Sequence, residues 1–286
     1  MSNNMTANGD DWKDLADRLS DSKGNNLQVG ITLRRMILRL NERSPFATAR
    51  GVFDNGCGTG SVISYILDVF GSEIPDSALV SAADFSRHML EKLRETKEAN
   101  VAAGKQVWDR LQLHNLDAHD LSTMADGSVS HVTGGHLYFL VSNPRQALEE
   151  TYRILSKGGV LALSSGKGSQ NLDALHDAVE EIRPGTNLQL LQEPWSSEAG
   201  VKNELEACGF VDTETFLVDA EIRYETHDDF AKTLLLMPIM KQAIESYTED
   251  EKKRLLVKLV QALRSRNSAE PGTLTGTSIV AFGCRN

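Results

Sequence analysis

The segment Val52-Phe53-Asp54-Asn55-Gly56-Cys57-Gly58-Thr59-Gly60 constrains the fold of this chain more than any other. A short apolar run ends in an acid, and three glycines follow at alternate positions. That pattern reads as a buried strand, a tight turn and the first turn of a helix. Glycine at such a turn allows a sharp bend and the close approach of a ligand, because no Cβ intervenes. The spacing Gly56-x-Gly58-x-Gly60 differs from the dinucleotide fingerprint, which leaves two residues before its third glycine. No Lys-Ser or Lys-Thr pair follows, so the phosphate-cradling P-loop is excluded as well. Asp54 at the strand end would repel a pyrophosphate and suits a cationic ligand.

The rest of the chain alternates strands with helices. Residues 1 to about 25 read as a mobile arm with one short amphipathic helix at 12–19, then a turn at 21–26. Helical spacing covers 29–41, and strands are expected at 51–54, 78–83, 111–116, 129–133 and 160–164. A helix from Gly60 is stopped by Gly71 and Pro75, and one from Ser86 to about Ala103 is stopped by Gly104. Asn143-Pro144 is a helix start, with asparagine as cap and proline in the first turn. Beyond residue 165 the pattern loosens. Val201, Leu205 and Cys208 form a helical stripe, 211–224 holds a strand, helices span about 228–246 and 249–265, and a last strand covers 277–284. Such alternation predicts an α/β fold with a mostly parallel sheet covered on both faces. No internal repeat or low-complexity run occurs.

Bulk properties limit the function. The chain has 286 residues, 40% hydrophobic and 24% charged, enough for one sizeable core with an embellishment. A net charge of −10 opposes a nucleic-acid partner. No stretch has the roughly 18 apolar residues of a membrane helix. The polar, acidic start is unlike a secretory signal. Three scattered cysteines, Cys57, Cys208 and Cys284, show neither a disulfide framework nor a zinc spacing. These properties lead to the expectation of a cytoplasmic protein, monomer or homodimer, acting on a small molecule without a metal.

The acids at later strand ends sharpen the reading. Asp84 closes the second strand, where a carboxylate accepts hydrogen bonds from ribose hydroxyls. The strings Asp84-Phe85-Ser86-Arg87-His88-Met89-Leu90 and Leu116-Asp117-Ala118-His119-Asp120-Leu121, the run from Asp126 to Thr133, and the Leu155-Ser156-Lys157-Gly158-Gly159 turn follow in order. Together with the glycine loop they resemble class I S-adenosylmethionine-dependent methyltransferases over residues 50–165, and the layout looks most like fungal enzymes that tailor secondary metabolites. The resemblance implies a Rossmann-like seven-stranded sheet whose last strand is antiparallel. It implies a helical arm at 1–45, a methyltransferase domain at 46–286 and a helical lid inserted at about 225–268. The implied cofactor is S-adenosylmethionine, held by Asp54, Gly56, Cys57, Gly58, Gly60, Asp84, Phe85, Met89, Asp117, Ala118 and Thr133. Asp117 is implied to take the adenine amino group, and Phe85 to lie along the ring.

Two positions depart from the family pattern, Ser130 where an acid is usual and Phe139-Leu140 where relatives carry paired histidines. Methyl transfer needs mainly alignment and exclusion of water, with a base only if the nucleophile must lose a proton. His136, three residues past Thr133, is the expected base, ahead of Tyr138, His131 and His227. Trp12, Trp195 and Leu234-Leu235-Leu236-Met237 are expected either to line an apolar acceptor pocket or to be plain core. An oxygen acceptor is preferred over nitrogen or carbon. The alternative is a methyltransferase fold that binds the cofactor without transferring its methyl group, as a regulator or a cyclase. A protein or nucleic-acid methyltransferase is disfavoured by charge and by the lack of an Asn-Pro-Pro-Tyr-like motif.

Overall fold

The structure, a computed structural model, describes residues 8–21, 27–186, 188, 190–191 and 193–286. The expected mobile start of the arm and the turn at 22–26 lie outside the described residues. Strands β1 (Gly51–Asn55), β2 (Leu79–Asp84), β3 (Leu111–Asn115), β4 (Val129–Gly135), β5 (Leu155–Ser169), β6 (Val211–Tyr224) and β7 (Gly272–Cys284) form one sheet. Their spatial order is β3-β2-β1-β4-β5-β7-β6. Strands β1 to β5 pair in parallel, and β7 runs antiparallel to both β5 and β6. The order reverses between β1 and β4, so ligands are expected beyond the carboxyl ends of those two strands.

Helices α1 (Lys13–Asp21), α2 (Leu27–Arg43), α3 (Ser61–Phe70), α4 (Arg87–Ala102) and α5 (Gln106–Asp109) precede β3 or serve the first half of the sheet. Helices α6 (Pro144–Ile154), α7 (Gln170–Ile182), α8 (Glu198–Ala207), α9 (His227–Leu235), α10 (Pro238–Ala243) and α11 (Glu249–Arg266) follow. All five residues of β1 are buried. Alternation along the strand sends Val52 to the core under α2, α3 and α4, with Ile63, Leu93 and Trp108. Phe53 goes to the opposite core, with Leu148, Leu161 and Leu205 from β5, α6 and α8. A sheet buried on both faces explains why its strands read as continuous apolar runs.

The chain after residue 165 differs most from expectation. Helix α7 was not anticipated, because its inward stripe, Ala174, Leu175, Ala178 and Val179, is half alanine. The helix expected at 228–246 is two, since Pro238 begins α10 and cannot continue α9. The last strand starts at Gly272 and pairs with β6 from Glu214↔Phe282 to Tyr224↔Gly272, with an irregularity before it resumes at Val211↔Cys284. Helices α9 to α11 lie between these two strands in sequence and share a third core with α7, built on Leu175, Phe230, Leu255 and Leu259.

Candidate cofactor and acceptor site

Beyond the ends of β1 and β4 the chain leaves a cavity of about 620 Å3. Beneath its wall stands Asp54, whose carboxylate is fully buried near the end of β1. One oxygen accepts from the Ile63 N–H (3.2 Å), a free donor in the first turn of α3, and the other from the Thr133 hydroxyl (2.8 Å). Burial raises the Asp54 carboxyl to about 7. Asp54 therefore organises the loop from beneath, and Thr133 holds it there.

The glycine loop above Asp54 closes through the Cys57 N–H to the Ala83 carbonyl (2.9 Å) and the Gly60 N–H to the Cys57 carbonyl (2.9 Å). Gly56, Gly58 and Gly60 all have positive φ, at 65°, 53° and 96°. A Cβ on Gly56 would lie 2.5 Å from Leu137, and one on Gly60 2.4 Å from Leu93. Gly56, Cys57 and Gly58 line the cavity, whereas Gly60 serves as N-cap of α3 behind it.

Asp84 ends β2 at 8% exposure. Its oxygens accept from the Gly58 N–H and the Ser86 N–H, both at 2.9 Å, and burial pushes its carboxyl up. Phe85 and Met89 continue the same wall, and Asp117 and Ala118 face them after β3. Asp117 Oδ1 accepts from the His119 N–H (2.9 Å), so the loop turns back on itself. Of the expected cofactor residues, Asp54, Gly60 and Thr133 stand behind the wall and the other eight are on it.

The arm forms the near side. Trp12 meets Phe85 edge-on, with ring centroids 6.3 Å apart, and the Ser86 hydroxyl donates to the Gly9 carbonyl (2.7 Å). Leu15 and Ala16 cover Met89. Ion pairs Arg18–Asp229 and Lys241–Asp14 tie the arm to α9 and α10. The cavity wall itself contains no residue from 225–268; the inserted helices approach it through the arm and through Leu236, which packs against the cluster of Leu15, Ala16 and Met89.

The far side is built by the turn after β4: His136, Leu137, Leu140, Val141 and Ser142, with Leu33 of α2. Of these, His136 and Leu140 are marked in the sequence, the one as a base candidate and the other as a departure from the family pattern, whereas Leu33, Leu137, Val141 and Ser142 are not. His136 adopts φ +55° and reaches Ser164 of β5, Nδ1 to Oγ at 2.8 Å. Burial lowers its imidazole to about 4. The other base candidates are placed elsewhere. The Tyr138 hydroxyl is buried against Thr151 Oγ1 (2.9 Å) and pushed upward by desolvation. His131 stacks on Phe46 in the core, with Nε2 2.9 Å from the Ser44 carbonyl. His227 is buried between Glu270 and the Asn267 carbonyl, in the inserted region. Trp195 packs flat against Tyr138 at 6.0 Å and is core, as is Leu234.

Ser130 lies at the opposite end of β4, where its hydroxyl accepts from the Arg50 N–H (2.9 Å) and joins the starts of two strands. That departure from the family pattern is remote from the cavity. Leu140, in contrast, stands on the wall.

This arrangement fits S-adenosylmethionine. No Lys or Arg is among the described residues on the wall, which disfavours a phosphate. Among the described residues, Asp54 and Asp84 have backbone and hydroxyl donors but no cationic partner. Two such buried carboxylates make a field suited to a ligand carrying a sulfonium and an ammonium. Among the described residues no cluster of His, Cys, Asp and Glu has the makings of a metal site, and no helix is long and apolar enough to cross a membrane.

Comparisons with known proteins agree. Residues 53–163 match the family model of a methyltransferase domain. The chain is 29% identical to the methyltransferase ucsB of an Acremonium species over 278 residues, covering 96% of this chain and 95% of the relative. Its fold is similar to the YcgJ protein of Bacillus subtilis, at 16% identity and a TM-score of 0.54, over 88% of this chain and 98% of that one. It is also similar to the [4+2]-cyclase SpnF, at 15% identity and a TM-score of 0.50, over 88% and 81%. Domain match, relatives, sheet order and cavity agree in one likeness: residues 53–163 match a methyltransferase domain, and the chain resembles the class I S-adenosylmethionine-dependent methyltransferases.

Proposed function

We propose that the protein transfers the methyl group of S-adenosylmethionine to a small-molecule acceptor, with oxygen the preferred atom, in fungal-type secondary metabolism. The observation that carries this reading is the continuity of the cavity. One wall holds Asp84, Phe85 and Asp117, and the opposite wall is the apolar turn from His136 to Val141. The length-wide likeness to the methyltransferase ucsB supports methyl transfer. The protein's negative charge supports an acceptor other than a nucleic acid.

In this reading Asp84 takes the ribose hydroxyls, and Asp117 and Ala118 take the adenine edge beside Phe85. Asp54, Gly60 and Thr133 hold the glycine loop in shape. When bound, the cofactor supplies an electrophilic methyl carbon on a sulfonium. The chain's own contribution is positioning and dryness: Trp12, Leu33, Leu137, Leu140 and Val141 exclude water and hold an apolar acceptor in line. The described part of the 1–45 arm acts as a cap, and the 225–268 insertion serves as a lid by holding that cap through Arg18–Asp229 and Lys241–Asp14.

The test is release of S-adenosylhomocysteine when the protein is incubated with S-adenosylmethionine and a panel of phenols, enols, carboxylic acids and amines. Turnover with an apolar oxygen acceptor supports the proposal. Tight cofactor binding with no S-adenosylhomocysteine from any acceptor class would favour the alternative, a cofactor-binding fold without methyl transfer.

A further inference from the structure

We propose that Ser164 is a positioning residue that fixes His136 as its Nε2–H tautomer, so that this imidazole meets the acceptor as a hydrogen-bond donor and not as a base. The inference rests on the reading of the cavity as the acceptor site. It reverses the polarity that the sequence alone suggests for His136.

The geometry around Ser164 is over-determined. Ser164 lies in β5, 1% exposed, registered opposite Gly135 of β4 and Val280 of β7. The His136 backbone N–H is shared between the Ser164 carbonyl (3.2 Å) and the Ser164 hydroxyl oxygen (3.1 Å). The ring comes back to the same hydroxyl, Nδ1 to Oγ at 2.8 Å. This double attachment holds His136 at φ +55°, a region that residues other than glycine seldom occupy and that persists only where the surroundings enforce it.

A hydroxyl has one hydrogen to give and two lone pairs to offer. Suppose Nδ1 carried the ring hydrogen. Ser164 Oγ would then receive both the backbone N–H and the ring N–H, and its own hydrogen would have nowhere to go, since among the described residues no other acceptor is within reach. A buried hydroxyl left with an unmade bond is disfavoured. Suppose instead that the hydroxyl donates to Nδ1. Every group is then satisfied, and the ring hydrogen sits on Nε2. Among the described residues Nε2 has no hydrogen-bond partner, and His136 stands on the cavity wall.

Burial reinforces this polarity by holding the imidazole neutral, at about 4, well below working pH. A group that weakly basic is a poor proton acceptor, but a neutral N–H remains a full donor. The acceptor class follows. A donor at this position suits an acceptor oxygen that presents a lone pair to it, such as that of a phenol or enol, whose own proton then leaves to a group other than His136.

The test is a two-bond 1H–15N correlation spectrum of the full chain labelled with 15N-histidine, with His136 assigned by its absence from His136→Gln. The expected result is an unprotonated Nδ1 and a protonated Nε2 at neutral pH. In Ser164→Ala the Nδ1 resonance shifts, because the O–H bond to that lone pair is lost, and Ser164→Thr returns it toward the wild-type position. A protonated Nδ1 in the wild type overturns the proposal. An Nδ1 resonance unmoved in Ser164→Ala overturns the role of Ser164. Titration of the same samples with S-adenosylhomocysteine reports the cofactor site separately, so a failed tautomer assignment and a failed functional reading give different results.

Discussion

Asp84 Oδ2 accepts a hydrogen bond from the Gly58 N–H at 2.9 Å, joining the end of β2 to the glycine loop that follows β1. Its other oxygen accepts from the Ser86 N–H, which begins the turn into α4. Each oxygen keeps a lone pair beyond these bonds. The carboxylate is thus aimed by two backbone amides before any ligand arrives, and that preorganisation is the basis of the cofactor reading.

Cofactor binding should be linked to proton release. Burial raises Asp54 from 3.8 to about 7, so part of the ligand-free population carries a proton on it at neutral pH, and burial moves Asp84 in the same direction. A cationic ligand favours the ionised carboxylates, and affinity should weaken as pH falls below about 7. Calorimetry in two buffers of different ionisation enthalpy at pH 7 is expected to show proton release in the wild type and much less in Asp54→Asn.

The same shift has a stability consequence with a definite sign. A carboxyl whose folded value exceeds its unfolded one stabilises the protein below the unfolded value, and that contribution is lost as pH rises through the folded one. For Asp54 the window runs from 3.8 to about 7. The Tm difference between Asp54→Asn and the wild type should therefore move in favour of the variant as pH rises across that window. A difference that stays flat would contradict the burial argument.

The three glycines of the loop should separate by role. In Gly60→Ala the new methyl meets Leu93 at 2.4 Å in the core, with φ at +96°. Overpacking together with the left-handed strain should cost about 2–5 kcal/mol of stability. In Gly58→Ala nothing lies within 4 Å of the new methyl, so only the strain of φ +53° applies, about 1–2 kcal/mol. Its larger effect should be on cofactor affinity. Denaturant unfolding and calorimetry on the two variants check this ordering.

Trp12 should report ligand entry. Trp108 and Trp195 are buried in the two sheet cores, while Trp12 stands on the cavity wall beside Phe85. S-adenosylhomocysteine is expected to change the intrinsic fluorescence of the wild type, and Trp12→Phe should abolish most of that change while still binding.

The parts of the site legible in the sequence are those where backbone geometry dictates residue type. Asp54 and Asp84 could be read because each ends an apolar strand at the place where a turn must begin, and the glycines because positive φ demands them. Leu137 and Val141 give no such sign, since an apolar turn residue on a cavity wall looks like any core residue; Leu140 is visible only as a departure from the family pattern. Ser164 was equally silent, as a serine inside a strand shows its role only when the strand beside it brings His136 back. Trp195 illustrates the converse, a conspicuous residue whose large ring fills the core against Tyr138. Among the helices, α7 was hidden because alanines carry half of its buried stripe. The spacing over 228–246 is continuous enough to suggest one helix, and only the backbone shows that Pro238 starts a second.

The central claim is that Asp84 and its loop hold S-adenosylmethionine. A calorimetric titration of wild type and Asp84→Ala with S-adenosylmethionine and S-adenosylhomocysteine tests it most directly. Hydrogen bonds to a charged group are worth roughly 1.5–3 kcal/mol, so the variant should bind roughly 10- to 150-fold more weakly while keeping its fold. Absence of binding to the wild type, or equal affinity in the two proteins, would contradict the account.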